Sequence, residues 1–122
     1  MKVLLNDGLE KEGLKLFQEA GIETDTKKRD LAALVAEVGQ FDALVVRSAT
    51  KVTREVLEVG AKGKLKIVGR AGVGFDNIDA AAASEFGIVV KIAPYGSTNA
   101  VAELAIDLML CISRNTAHLK KR

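Results

Sequence analysis

The chain has 122 residues, a length suited to one globular domain with its own core. Its net charge of +2 is too small to predict nucleic acid or an acidic membrane surface as a partner. The one cysteine, Cys111, excludes an internal disulfide, and the apolar run after Met1 is too short for a signal peptide, so we expect a cytoplasmic protein without a membrane span.

Segments with strand and helix patterns alternate along the chain. In chain order the first half predicts a strand at Lys2–Asn6, a helix from Leu9 to Phe17, a strand at Ile22–Thr24, a helix from Leu31 to Val38 capped by Asp30, and a strand at Asp42–Val46. The second half predicts a helix capped by Thr53 and running through Val59, a strand at Leu65–Val68, a helix at Asn77–Phe86 ended by Gly87, and a strand at Ile88–Val90. This alternation predicts an α/β fold with a flavodoxin-like, doubly wound parallel sheet of five strands.

A long apolar helix is predicted at the carboxyl end of the chain. It begins at Thr98, reaches at least Arg114, and is apolar around most of its circumference. A helix of that kind is buried, and a five-stranded domain can cover only one side of it. We therefore expect the other side to pack on a second domain or a second subunit; the alternative is a core helix in a compact monomer.

Three polar motifs each follow a predicted strand. They are Arg47-Ser48-Ala49-Thr50, Gly69-Arg70-Ala71-Gly72-Val73-Gly74 and Ala93-Pro94-Tyr95-Gly96-Ser97. Ligands of parallel α/β sheets bind outside the carboxyl ends of the strands, where these motifs meet. The guanidinium groups suit a carboxylate or phosphate, the hydroxyl groups add hydrogen-bond donors, and the glycines let the backbone approach a ligand. The predicted anion-binding residues are Arg47, Ser48, Thr50, Arg70, Gly72, Gly74 and Ser97.

Other chemistries find little support in the sequence. The glycine motif is not a full dinucleotide fingerprint, because Asn77 takes the place of the third glycine. Asp76, Asn77 and Asp79 stand at the start of a predicted helix, where capping is the expected role. The one histidine, His118, lies among terminal lysines and is interpreted as exposed, and no metal-ligand spacing occurs.

At these three motifs the sequence resembles the amino-terminal part of the NAD-dependent D-2-hydroxyacid dehydrogenases, and the resemblance covers essentially the whole chain. It implies that Arg47 and Ser48 help to hold the anionic groups of the substrate, with Arg70 in the same cleft. It also implies that Val73 lies near the cofactor. Ser97 stands where relatives often have Asn, so this chain departs from the family at that position.

The resemblance implies a division into a substrate-binding domain at 1–97 and a crossover or dimerisation helix at 98–122. In the family a nucleotide domain with a true GxGxxG follows that helix and carries the catalytic Arg, Glu and His, which this chain lacks. We therefore expect no catalytic residue here, NAD held mainly by that other domain, and no turnover by this chain alone. The implied substrate is a small anionic 2-hydroxy acid such as 3-phosphoglycerate, used in serine biosynthesis. The partner expected from the apolar helix at 98–114 is a second copy of the chain, in a homo-oligomer, or the missing domain.

Two other functions fit the same fold. A non-catalytic, flavodoxin-like binding or dimerisation module would share the anion pocket and act only by association. A two-component receiver domain would explain the acidic Asp7 after the first strand and Lys91 near a proline. A receiver needs an aspartate at the end of the third strand, however, and Arg47 stands there.

Overall fold

The computed structural model describes residues 2–8, 11–47, 49–71 and 77–93. The strands are β1 (Lys2–Leu5), β2 (Glu23–Asp25), β3 (Ala43–Val46), β4 (Ile67–Ala71) and β5 (Val89–Ala93). The helices are α1 (Lys11–Glu19), α2 (Leu31–Glu37), α3 (Arg54–Lys62) and α4 (Ala80–Glu85), with a short 3-10 turn at Val38–Gln40. All strand pairs are parallel, in the order β2-β1-β3-β4-β5. This confirms the predicted five-stranded sheet; the helix predicted at 98–122 lies outside the described residues.

The predicted helix caps explain where three of these helices begin or end. The Asp30 carboxylate accepts a hydrogen bond from the backbone N–H of Ala33 (2.9 Å) at the start of α2. The Thr53 hydroxyl accepts one from Val56 N–H (3.4 Å) at the start of α3. Gly87 follows α4 with a φ of +74°, a conformation that favours glycine.

Both faces of the central strands β1, β3 and β4 are buried, as parallel strands with unbroken apolar sequences require, whereas β2 and β5 at the two sides of the sheet are more exposed. One face packs with α2, α3 and α4 into a single cluster that includes Leu4, Leu44, Val46, Val68, Leu34, Leu57 and Ala83. The side chains that alternate with these along the strands are also buried: Val3, Leu5, Ala43, Val45 and Ile67. The sheet is thus a rigid support whose carboxyl edge carries the polar residues.

Several boundaries differ from the prediction by one to three residues, and two of these differences affect the carboxyl edge of the sheet. The fourth strand was expected to end at Val68, but β4 continues to Ala71 because it pairs with β3 on one side and β5 on the other. Arg70 therefore lies inside a strand. The helix expected from Asn77 begins only at Ala80, because Ile78 forms a parallel bridge with Val52.

Candidate functional site

The turn that joins β3 to Val52 is held by the carboxylate of Asp7, at the end of β1. Asp7 Oδ2 accepts hydrogen bonds from the backbone N–H groups of Arg47 (2.8 Å) and Thr50 (3.0 Å). Asp7 Oδ1 accepts from the Thr50 hydroxyl (2.5 Å) and from Lys28 Nζ (2.8 Å). The Asp7 side chain is only 3% exposed. Three of these four hydrogen bonds to the carboxylate therefore come from the turn, and the fourth comes from Lys28.

The surroundings of Asp7 favour its ionised form. Burial raises the pKa of this carboxyl, but the hydrogen bonds from Lys28, Thr50 and Arg47 outweigh burial and bring the pKa below its ordinary value. Asp7 is thus a negative charge at neutral pH, and the donors around it stabilise that charge.

Asn77 binds the carbonyl groups of the same turn. Asn77 Nδ2 donates to the backbone oxygens of Arg47 and Thr50, both at 2.7 Å. Asn77 is fixed in turn by the bridge to Val52, whose N–H donates to Asn77 O (2.8 Å). The capping role predicted for Asp79 is confirmed by its bond from Ala82 N–H (3.0 Å), whereas the Asn77 side chain binds the turn instead of capping a helix.

Asn6 adds a third support beneath the turn. The residue is 1% exposed, and its Nδ2 donates to the Thr50 hydroxyl (2.9 Å) and to the carbonyl oxygen of Arg29 (3.1 Å). Its Oδ1 accepts from Arg29 N–H (2.8 Å). Asn6 therefore joins the Arg47–Thr50 turn to the loop that precedes α2.

The Thr50 hydroxyl directs its one proton to Asp7. The residue is 6% exposed. Its predicted contact with an anionic ligand stays a prediction, and it would require the hydrogen bond to Asp7 to be exchanged.

The two arginines lie near the carboxyl ends of neighbouring strands, Arg47 directly after β3 and Arg70 within β4. Val46 and Arg70 are register partners, and Arg47 directly follows Val46. Arg47 is half-buried, whereas Arg70 is 8% exposed and lies on the sheet face of Val68, two residues before it. Both arginines make further polar or electrostatic contacts. That their guanidinium groups share one anion stays a prediction.

Several predicted residues lie outside the described part of the chain. They are the anion-binding candidates Ser48, Gly72, Gly74 and Ser97, the cofactor-adjacent Val73, and the terminal His118 and Cys111. Within residues 2–8, 11–47, 49–71 and 77–93, no group of His, Cys, Asp and Glu is arranged to hold a metal ion. None of the helices in those ranges is long and apolar enough to cross a bilayer.

Comparison with known proteins shows which family the sequence of this chain matches. The profile described as "D-isomer specific 2-hydroxyacid dehydrogenase, catalytic domain" matches residues 3–118. The chain is 45% identical to D-3-phosphoglycerate dehydrogenase of Methanocaldococcus jannaschii, over 99% of this chain and 24% of that protein. It is 48% identical to the chloroplastic D-3-phosphoglycerate dehydrogenase 2 of Arabidopsis thaliana, over 95% of this chain and 18% of that protein. The chain thus spans a quarter or less of these relatives.

A solved structure shares the fold. The NAD+-bound 3-phosphoglycerate dehydrogenase of Entamoeba histolytica superposes with a TM-score of 0.64 and 29% identity. The alignment covers 77% of this chain and 33% of that structure. The likeness therefore extends over most of the chain and a minor part of the neighbour.

Proposed function

Because the chain belongs to the D-isomer specific 2-hydroxyacid dehydrogenase family, we propose that it is the substrate-binding part of an NAD-dependent dehydrogenase that oxidises D-3-phosphoglycerate. The relatives named above support that substrate, since both are D-3-phosphoglycerate dehydrogenases. The proposed division is a substrate-binding domain at 1–97 and a helix at 98–122 that leads to the nucleotide domain or packs on a second copy. We propose a cytoplasmic location.

One structural observation carries the proposal: Arg47 directly follows β3 and Arg70 lies near the end of the adjacent β4, both near the carboxyl edge of a parallel sheet. 3-Phosphoglycerate carries a carboxylate at one end and a phosphate at the other. Each guanidinium can donate two parallel hydrogen bonds to such a group, and a pair of arginines suits a substrate with two anionic ends. A monoanionic 2-hydroxy acid such as lactate would use only one of them.

The described residues do not fit a dinucleotide on their own. In sheets with this strand order, phosphate-bearing cofactors bind where the order reverses, here between β1 and β3. The buried carboxylate of Asp7 stands at that point and already takes the N–H groups that could face a phosphate. We therefore propose that NAD is held mainly by residues other than the described ones, with Val73 as a family-implied neighbour.

Calorimetric titration of the chain with 3-phosphoglycerate tests the proposal. Replacing Arg47 with alanine removes a charge-assisted hydrogen-bond donor, so Arg47→Ala should weaken binding by roughly 10- to 100-fold. The affinity of Arg47→Lys should lie between those of the unsubstituted chain and Arg47→Ala, because lysine keeps the positive charge but lacks the planar guanidinium group. Lys66→Ala is the matched control, since this exposed lysine precedes β4 at the opposite edge of the sheet.

Two results would contradict the proposal. Equal affinities for the unsubstituted chain and Arg47→Ala would remove Arg47 from the site. No heat of binding with 3-phosphoglycerate, together with self-association of the chain, would favour the non-catalytic dimerisation module. We also expect no NADH from the purified chain with NAD and 3-phosphoglycerate, and NADH formation would show that the catalytic groups lie within these 122 residues.

A further inference from the structure

We propose that Asp7 and Asn77 are positioning residues that together hold the Arg47–Thr50 turn in the conformation that binds the substrate anion. We call the two side chains the turn clamp. The inference rests on the proposed function, because the turn carries the arginine assigned to the substrate.

The turn clamp binds the backbone N–H and C=O groups of the two end residues of the turn. Asp7 accepts from the N–H groups of Arg47 and Thr50, and Asn77 donates to the carbonyl oxygens of the same two residues. One clamp residue follows β1 and the other precedes α4, so the turn is fixed to two separate parts of the sheet edge. The position of Arg47 therefore depends on both.

The clamp atoms that bind the turn, the Asp7 carboxylate and Asn77 Nδ2, have no hydrogen-bonding capacity left for a reacting group, whereas the buried Asn77 Oδ1 accepts no hydrogen bond within the described part of the chain. Both protons of Asn77 Nδ2 are used by the two carbonyl oxygens. Asp7 takes its hydrogen bonds from Arg47, Thr50 and Lys28. These residues therefore act on the substrate through the turn.

The position of the Asn77 side-chain nitrogen requires a hydrogen-bond donor. Two carbonyl oxygens face the Asn77 amide nitrogen, so the group at that position must be a donor. An ionised carboxylate there would be repelled by both oxygens and would push the turn away. A protonated carboxyl group, in contrast, could donate to one of them. Asn77→Asp therefore makes the clamp dependent on pH while the shape of the side chain hardly changes.

The experiment is a titration of 3-phosphoglycerate into the unsubstituted chain and Asn77→Asp over a range of pH. At neutral pH we expect Asn77→Asp to bind about tenfold more weakly, equal to ~1.4 kcal/mol. As the pH falls, the affinity ratio between the two chains should shrink, because the introduced carboxyl group becomes protonated. Expressing the result as a ratio at each pH removes the titration of the substrate itself.

Asp79→Asn is the matched control. Asp79 lies two residues further on, and its side chain caps α4 by accepting a hydrogen bond from Ala82 N–H. Its substitution should leave the affinity ratio near one at every pH. Circular dichroism of each variant confirms that the sheet has formed.

Affinity of Asn77→Asp equal to that of the unsubstituted chain at neutral pH would overturn the clamp. So would a loss of affinity with the same ratio at every pH, since that indicates general damage. If the unsubstituted chain itself fails to bind 3-phosphoglycerate, the proposed function fails, and amide hydrogen exchange then decides the clamp separately. Faster exchange of Arg47 and Thr50 N–H in Asn77→Asp supports the clamp, whereas unchanged exchange refutes it.

Discussion

The hydroxyl group of Thr50 offers the sharpest test of how the turn is stabilised. It donates to Asp7 Oδ1 (2.5 Å) and accepts from Asn6 Nδ2 (2.9 Å), in a residue that is 6% exposed. Thr50→Val keeps the shape of the side chain and removes both hydrogen bonds. The buried Asn6 donor then loses one partner, and the Asp7 carboxylate loses a strong donor.

The expected cost follows from those two losses. A buried polar group left without its partner costs about 1–3 kcal/mol, and a hydrogen bond to a charged group contributes roughly 1.5–3 kcal/mol. Because Asp7 keeps its other donors, we expect Thr50→Val to lower the free energy of unfolding by about 2–4 kcal/mol. Thr50→Ser keeps the hydroxyl group and loses one methyl group, so it should cost only about 1 kcal/mol.

Urea unfolding of the three chains measures this difference. With an m-value of about 2 kcal/mol/M, the midpoint for Thr50→Val should fall by roughly 1–2 M and that for Thr50→Ser by about 0.5 M. The m-values should stay equal, which shows that the change lies in stability. If the valine variant is as stable as the serine variant, the hydroxyl network contributes nothing and the reasoning about the turn is wrong.

Two further predictions concern Asp7 and the packing of α3. Because the pKa of Asp7 is lowered in the folded chain, its contribution to stability is present above the ordinary carboxyl pKa of about 3.9 and is lost as the pH falls through the folded value. Asp7→Asn should therefore lower the free energy of unfolding by about 2 kcal/mol at pH 7. In urea unfolding, the stability of this variant should fall less steeply towards acid pH than that of the unsubstituted chain. Gly63→Ala should destabilise the fold by about 1–3 kcal/mol, measured as a lower thermal midpoint, because the added Cβ would lie 2.3 Å from Gly39 O. Lys62→Ala is the control, and equal midpoints for the two variants would contradict this close approach.

Much of the fold follows from the period of the apolar residues. Unbroken runs such as Ala43–Val46 predict strands that are buried on both faces, and the caps at Asp30 and Thr53 mark the helix starts correctly. The errors lie where pairing between distant segments decides the boundary. The prediction ends the fourth strand at Val68, yet pairing with β3 and β5 continues the ladder through Arg70.

The site was less accessible to sequence reasoning than the fold. The motif after β3 predicted that polar residues gather at the carboxyl edge of the sheet, and Arg47, Thr50 and Arg70 lie at that edge. That this edge binds the substrate stays a prediction. The sequence did not predict the turn clamp. Asp7 binds the N–H of Thr50, 43 positions away, and Asn77 binds the carbonyl oxygen of Arg47, 30 positions away. Because every residue has these backbone groups, no residue type in the sequence identifies them as partners. The polar pair Asn6-Asp7 directly after an apolar strand was the one available signal, because it lies at the same edge.

The clamp also changes how this domain can recognise an anion. In many sheets of this order, backbone N–H groups at the reversal point between strands bind the phosphate of a ligand. Here the N–H groups of Arg47 and Thr50 point at Asp7, so they are closed to a ligand while the clamp is intact. The recognition of an anion that we propose for this turn then depends on side chains, above all the guanidinium of Arg47. A substitution that removes the carboxylate of Asp7 would make those two N–H groups available to a ligand and would also loosen Arg47. A gain in anion affinity would show that the backbone N–H groups can bind the anion, whereas a loss would show that the site depends on a fixed Arg47.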